Sequence, residues 1–434
     1  MKNTKILLLA ALCGLFITTA CDDDPPAPND AMISTITASG TSFEDGSTVN
    51  ADLNGAASAE DVALNSVITI VLDKDIDPTS ASAGNIILTA DGETVGIDVN
   101  TTTSQVVVTP QGDLQRGTAH TLTLTGIMAA DGGGFATVSR TFTTEGRAPV
   151  VPPNLENQLL YLNFDGEATD VTGNYTLENV IDVTYGPDRY GQGNSSAVFD
   201  GNTSLIEVAN AAELMAGDDF TMSFWMKTNS TDHVNADGNP AGMFVFGLAA
   251  FEGFQFEIPA NFSSCKLAMS YTNGTESLSE DLWFPGNGQD RDNGGWQGWD
   301  FVADLEGVGG VPSLIQDKWV HIVCTYDAAS KKGQMYINGE IMKSQDFNLW
   351  PDGAPKQSIT GVAYDETAVE PTWEKILAIG FIKSADSEQW ADTPWGDYYK
   401  PTANHYKGDL DDIRFFDASF TSADVESLYD AERP

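Results

Sequence analysis

Short apolar runs broken by Gly, Asp, Asn and Pro dominate the chain from residue 33 to 145. Val67–Ile76, Asn85–Ala90, Val95–Asn100, Gln105–Pro110, His120–Ile127 and Arg140–Gly146 are rich in β-branched residues, and none has a helical period. Alternation is clearest in His120-Thr121-Leu122-Thr123-Leu124-Thr125, where leucines face one way and threonines the other. The pattern predicts a β-sandwich of about seven strands. A proline-rich linker follows over 146–157, and proline makes it semi-rigid.

Residues 158–434 also read as β-rich. Strands are predicted at Gln158–Phe164, Ser196–Phe199, Phe220–Thr228, Trp319–Tyr326, Gln334–Lys343, Lys375–Ile382 and Leu410–Phe416. Asn338-Gly339 marks a two-residue hairpin turn. One helix is predicted, Phe420–Tyr429, with Thr421 as cap, Asp424 at N3 and Phe420 stapled onto Val425. Asn229–Leu314 reads as an insertion that carries strands of its own, Met243–Leu248 and Phe254–Ile258. Gln345–Glu374 reads as a second insertion, and Lys383–Tyr406 as a further loop. Loops on a rigid sandwich are where function usually sits.

The first residues have a different pattern. Lys2 and Lys5 precede an apolar run from Ile6 to Ile17, too short to cross a bilayer core of about 30 Å. Thr18, Thr19 and Ala20 lead into Cys21. This resembles a bacterial lipobox, although Thr18 stands where such boxes prefer leucine. The resemblance implies removal of residues 1–20, a lipid on Cys21 and a membrane anchor; the alternative is an ordinary secretory signal. Asp22, Asp23 and Asp24 with Pro25, Pro26 and Pro28 make residues 21–32 an extended tether. The acidic run also resembles the surface-export signals of Bacteroidetes lipoproteins. The expected location is the outer membrane, lipid-anchored and exposed at the cell surface. No later segment is apolar enough to span, so the lipid supplies the membrane affinity.

Charge narrows the partners. The 434 residues carry a net −42, and loss of Lys2 and Lys5 with the leader takes −42 to −44. Such a surface repels nucleic acid and anionic lipid. Of four cysteines, Cys13 leaves with the leader and Cys21 carries lipid, so Cys265 and Cys324 are either a disulfide or buried thiols. With no CxxC pattern and four histidines, a zinc site is not expected.

Two family resemblances follow. Asp75-Ile76-Asp77-Pro78, Leu114-Gln115-Arg116-Gly117-Thr118 and Phe142-Thr143-Thr144 are similar to the turn, the central stretch and the closing strand of the Big_5 bacterial Ig-like domain, with His120 at a place usually held by tyrosine. That resemblance implies a spacer over 33–145 with no chemistry of its own. In residues 158–434, YLNFDGEATDVTGN, GQGNSSAVFDGNTSLIEV, DDFTMSFWMKT, DKWVHIVCTYDAASKKGQMYINGE and YKGDLDDIRFFDASFTSADVESLY occur in the order of the LamG-like, concanavalin A-like jelly roll. The resemblance implies two curved antiparallel sheets, frequent glycan binding and frequent calcium. The predicted class is thus all-β: an Ig-like sandwich, then a larger jelly roll with a short C-terminal helix.

Candidate chemistry lies in the aromatic loops. Trp283, Trp296, Trp299, Trp390 and Trp395 occur among glycines and acids, including Asp300. An indole stacks on the apolar face of a sugar, and carboxylates and amides take its hydroxyls. The alternative is that these tryptophans pack the loops. A structural calcium ion is the second candidate. Asp165 ends the first strand of the larger domain and Asp411 lies in its last, and the resemblance places such strands side by side with a calcium on these acids. Asp170 and Asp200 are additional ligands, since calcium takes six to eight oxygens. The acids could instead cap turns. No catalytic carboxylate run, GxSxG or P-loop is present, so an enzyme is not expected. The expected function is glycan capture, with an outer-membrane uptake complex as a partner. An adhesin without glycan specificity is the alternative, and a glycoside hydrolase the weaker one.

Overall fold

The computed structural model describes residues 31–55, 57–286, 299–365, 375–385 and 404–434, with only the backbone of Trp299. The described chain is all-β, with two successive sandwiches and a C-terminal helix, as the sequence predicts. It divides into two compact units. One is Thr48–Arg147 with the chain up to Thr41, and the other is Ala148–Pro434 with Ser42–Ser47.

The smaller unit has two five-stranded sheets. One runs Thr48–Asp52, Ile33–Thr41, Val67–Leu72, Gln105–Pro110, Ile97–Thr101; the other runs Ala59–Val62, Val138–Thr144, Ala119–Leu124, Ile86–Ala90, Glu93–Val95. Ile68, Ile70, Leu72, Leu122 and Leu124 meet in the core, while Thr121 and Thr123 stay half-buried, so the sequence alternation is the structural one. His120 is also inward. Its ring stacks on Phe142 with centroids 5.1 Å apart, and its Nδ1–H donates to the Thr118 carbonyl at 2.9 Å. Burial lowers its pKa, which keeps it neutral among apolar neighbours. The Asp77-Pro78 turn is held by Asp77 Oδ1, which accepts from Thr79 N and Oγ1.

The larger unit is a second two-sheet sandwich. Among the described residues its first sheet has nine strands, in the order Thr184–Gly186, Ser196–Asp200, Lys407–Phe416, Phe220–Thr228, Trp319–Asp327, Lys332–Ile337, Glu340–Asp346, Trp299–Val302. Gln158–Leu162 adds to the free half of Lys407–Phe416. The second sheet has eight: Leu177–Ile181, Leu205–Val208, Leu377–Ile379, Met243–Leu248, Phe254–Ile258, Cys265–Thr272, Ser277–Phe284, with Gly361–Val362 beside Cys265–Thr272. Met222, Phe224 and Met226 face Phe246, Phe254 and Phe256 across the core, and Phe224 meets Phe246 edge-on at 4.8 Å.

One expectation changes and one open choice closes. The supposed insertion Asn229–Leu314 contributes four neighbouring strands, half of the second sheet. Met243–Leu248 hid its role because both its faces are covered. Val245, Phe246 and Leu248 join the main core, while Phe244 packs with Leu205, Phe381 and Ile382 on the other side. The open choice at Cys265 and Cys324 resolves to buried free thiols.

The helix forms over Ser422–Glu432, and its start is the expected capping box, Thr421 with Asp424. Phe420, Val425 and Leu428 are buried with Val323, Tyr336 and Phe416 on the outer face of the first sheet. Phe220–Thr228 is therefore buried on both faces.

Candidate functional site

Consecutive residues of a strand point to opposite faces. Asp411 and Asp412 escape that rule. The register of Lys407–Phe416 slips by one residue opposite Ser223–Trp225, and Asp412 takes φ 48°. Both carboxylates then address Arg189. Its Nη1 donates to Asp411 Oδ2 at 2.5 Å and its Nη2 to Asp412 Oδ2 at 2.6 Å. Arg414 pairs with Glu432, the last residue of the helix, and Tyr161 Oη donates to Asp412 Oδ1 at 2.6 Å. The guanidinium of Arg189 lies 4.4 Å from the Trp225 ring, and that of Arg414 lies 4.0 Å from Tyr161. All five charged side chains are buried.

This arrangement corrects the calcium assignment of Asp411. Two guanidinium groups face these acids and repel a cation. The other acids also have local duties. Asp170 accepts from the backbone N–H of Tyr161, Thr172, Asn174 and Tyr175. Asp200 accepts from the N–H of Asn202, Thr203 and Ser204. Burial opposes its charge, but these bonds outweigh it and lower its pKa to about 2. Asp165 accepts from Asn163 Nδ2 at 2.7 Å. Among the described residues, no three His, Cys, Asp or Glu side chains group as a metal site requires.

The outer face of the second sheet is different. Phe254, Phe256 and Ile258 enter the core, so Gln255 and Glu257 point outward. Leu267 and Met269 enter, so Lys266 points outward; Leu282 and Phe284 enter, so Asp281 and Trp283 point outward. Register sets Lys266 opposite both Glu257 and Trp283. Lys266 Nζ lies 2.7 Å from Glu257 Oε1 and 3.3 Å from Asp281 Oδ2. Burial pulls the Lys266 pKa down, but the two carboxylates outweigh it and leave it raised. Gln255 Nε2 donates to Glu257 Oε2 at 2.8 Å. Gln255 Oε1 is buried with no hydrogen-bond partner among the described residues. A half-buried indole thus stands beside a row of amide and carboxylate groups.

The same face continues towards Glu207, a neighbour of Ala378 in register. Glu207 is buried and accepts from Asn179 Nδ2 and Ala385 N, each at 2.6 Å. At the hairpin between Met243–Leu248 and Phe254–Ile258, Ala249 and Ala250 take φ 49° and 55°, a left-handed conformation that costs a residue with a Cβ roughly 1–2 kcal/mol. The Ala250 N–H is held by the Ile382 carbonyl at 2.9 Å. This turn exposes Phe251 and sets down Glu252, whose pKa burial raises.

Of the aromatic candidates, Trp283 alone has a described side chain. Trp296, Trp390, Trp395 and the side chain of Trp299 lie outside the described residues. Asp300 is on the edge strand of the first sheet, where it pairs with Lys332 at 2.5 Å, so it and Trp283 belong to different sheets. Gln255, Glu257 and Lys266 were missed by sequence reasoning. The signal was present in FQFEI, whose polar residues alternate with apolar ones. A separate cleft of ≈ 570 Å³ lies between Ser263, Pro285 and the stretch from Ala303 to Pro312. Near it Lys343 donates to the Pro285 carbonyl at 3.1 Å, and burial lowers its pKa to about 7.

Residues 48–144 match the family model of the bacterial Ig-like domain. No curated protein matches the chain. Among solved structures, the receptor binding domain of botulinum neurotoxin type G overlaps 63% of this chain and 51% of its own, at 16% identity and a TM-score of 0.36. A botulinum neurotoxin type C structure, described as depending for cell entry on interaction with two ganglioside molecules, overlaps 64% and 51%, at 14% identity and a TM-score of 0.38. The serotype D ligand binding domain in complex with N-acetylneuraminic acid overlaps 64% and 51%, at 14% identity and a TM-score of 0.39. The chain spans about half the length of these solved chains, and overlaps this loose do not bear on its ligand. The smaller unit is thus similar over nearly its whole length to a bacterial Ig-like domain.

Proposed function

We propose that the protein is a surface-exposed lipoprotein, anchored through Cys21, that captures a glycan on the outer face of the second sheet of its larger unit. The Ig-like domain serves as the spacer, and the larger unit is a LamG-like module acting beside an outer-membrane uptake complex. One observation carries the binding role. Trp283 stands in register with Lys266, which is itself opposite Glu257 on the next strand, and Gln255 on that strand keeps a buried acceptor without a partner among the described residues. An aromatic platform flanked by fixed polar groups fits a ring that is apolar on its face and hydroxylated on its rim. A buried acceptor left unfilled is costly unless something supplies a donor.

Affinity electrophoresis of the full mature chain through gels containing single polysaccharides tests this reading. Retention by at least one polysaccharide is expected, with Trp283→Ala removing most of it while the melting curve stays in place. Failure of every polysaccharide to retard the wild type refutes glycan capture. The anchor is checked separately. Cys21→Ser is expected to abolish fatty-acid labelling and to move the protein from the membrane to the soluble fraction.

A further inference from the structure

We infer that the captured glycan carries no acidic groups: neither uronate, sulfate nor phosphate. This inference rests on the glycan reading above and narrows its ligand class. The described outer face offers acceptors far more than donors. Gln255 Oε1 is a vacant acceptor, and its amide N–H is directed at Glu257. Asp281 lies two residues before Trp283 on the same strand, and Glu257 lies across Lys266 from it, so two carboxylates share this part of the face. The one cation among them, Lys266, is held between these two acids at 2.7 and 3.3 Å.

An ammonium so placed faces two carboxylates, which outweigh its charge and take two of its three N–H bonds. That makes it a weak anchor for a sulfate or a uronate. Further along the face, Glu207 adds a buried carboxylate. The whole chain adds a net −42. Beyond a Debye length of roughly 8–10 Å salt screens such a field, but at the face itself the acids act at contact range. A polyanion meets repulsion and finds few donors. A hydroxyl-rich neutral sugar brings the donors that the face lacks. Acceptor-rich protein surfaces select donor-rich ligands because an unmatched buried acceptor costs more than a matched one gains.

The test is affinity electrophoresis of the full mature chain against two matched panels, one neutral (β-glucan, xylan, mannan) and one acidic (polygalacturonate, alginate, a sulfated galactan), each at about 10 mM and about 300 mM salt. Expected is retention by at least one neutral polymer, changed less than about twofold by salt, and no retention by any acidic polymer at either salt. Retention by an acidic polymer at either salt overturns the inference and leaves glycan capture standing. No retention on any of the six gels refutes glycan capture, and the inference falls with it.

Discussion

Trp225 Nε1 donates to Glu432 Oε2 at 2.8 Å, joining a central strand to the last residue of the terminal helix. Glu432 is also the partner of Arg414, and its carbonyl accepts from Arg189 Nε and Tyr190 Oη. Removing one member of a buried ion pair leaves the other uncompensated, at a cost of about 3–5 kcal/mol. Glu432→Ala is therefore expected to destabilise the protein by that amount in urea. Glu432→Gln, which keeps an acceptor for Trp225, should lose less. Equal loss in both variants would show that the indole bond contributes nothing.

The helix start gives a smaller effect. Thr421 Oγ1 accepts from Asp424 N at 3.3 Å, and Asp424 Oδ2 accepts from Thr421 N at 2.9 Å. Thr421→Ala should cost about 1 kcal/mol, read as a lower urea midpoint with an unchanged slope.

All four histidines are buried, and each has its pKa lowered, first by burial. His405 falls to about 4 and His321 to about 3, from an ordinary 6.5. The charges of Arg189 and Arg414 add to burial at His321. The folded state thus binds fewer protons than the unfolded one below 6.5. Stability is complete above about pH 6.5 and declines as pH falls through the folded values, by up to roughly 1.4 kcal/mol per pH unit for each histidine. Urea midpoints between pH 7.5 and 4.5 measure this, and His321→Gln should flatten the slope. Asp200, lowered to about 2, adds its loss in a separate window below 3.8.

Burial pushes the Cys265 thiol up to about 12 and the Cys324 thiol well above its usual range. A chain that starts after Cys21 should leave a thiol reagent unconsumed at pH 8 and consume two equivalents once unfolded. Rapid reaction of the native protein would contradict this burial.

Local signals carried much of the fold. The Asn338-Gly339 turn forms with φ 52° and 81°, joining Lys332–Ile337 to Glu340–Asp346. The capping box at Thr421 was readable because it needs only residues three apart. Alternation in His120–Thr125 named its inward face correctly. What failed was long-range. Asp411 lies 222 residues from Arg189, and no local pattern announces that pair. Met243–Leu248 lost its alternation because both faces are covered, and although it was read as a strand, the half-sheet it belongs to was read as an insertion. The tryptophans of the candidate site were legible as residue types. The polar row beside Trp283 was not, because its members come from three strands that sequence spacing does not join.

The place of Lys407–Phe416 in the first sheet also governs how the larger unit assembles. Three strands made much earlier, Gln158–Leu162, Ser196–Asp200 and Phe220–Thr228, all pair with it. While the chain is being synthesised, each of them waits with an open edge until residue 416 has emerged. Closure is then a late, non-local event of the kind that proceeds slowly and exposes the chain to aggregation. Some 250 residues must therefore avoid wrong pairings before the strand that completes them arrives, which makes the open edges of these earlier strands the points where misfolding would begin.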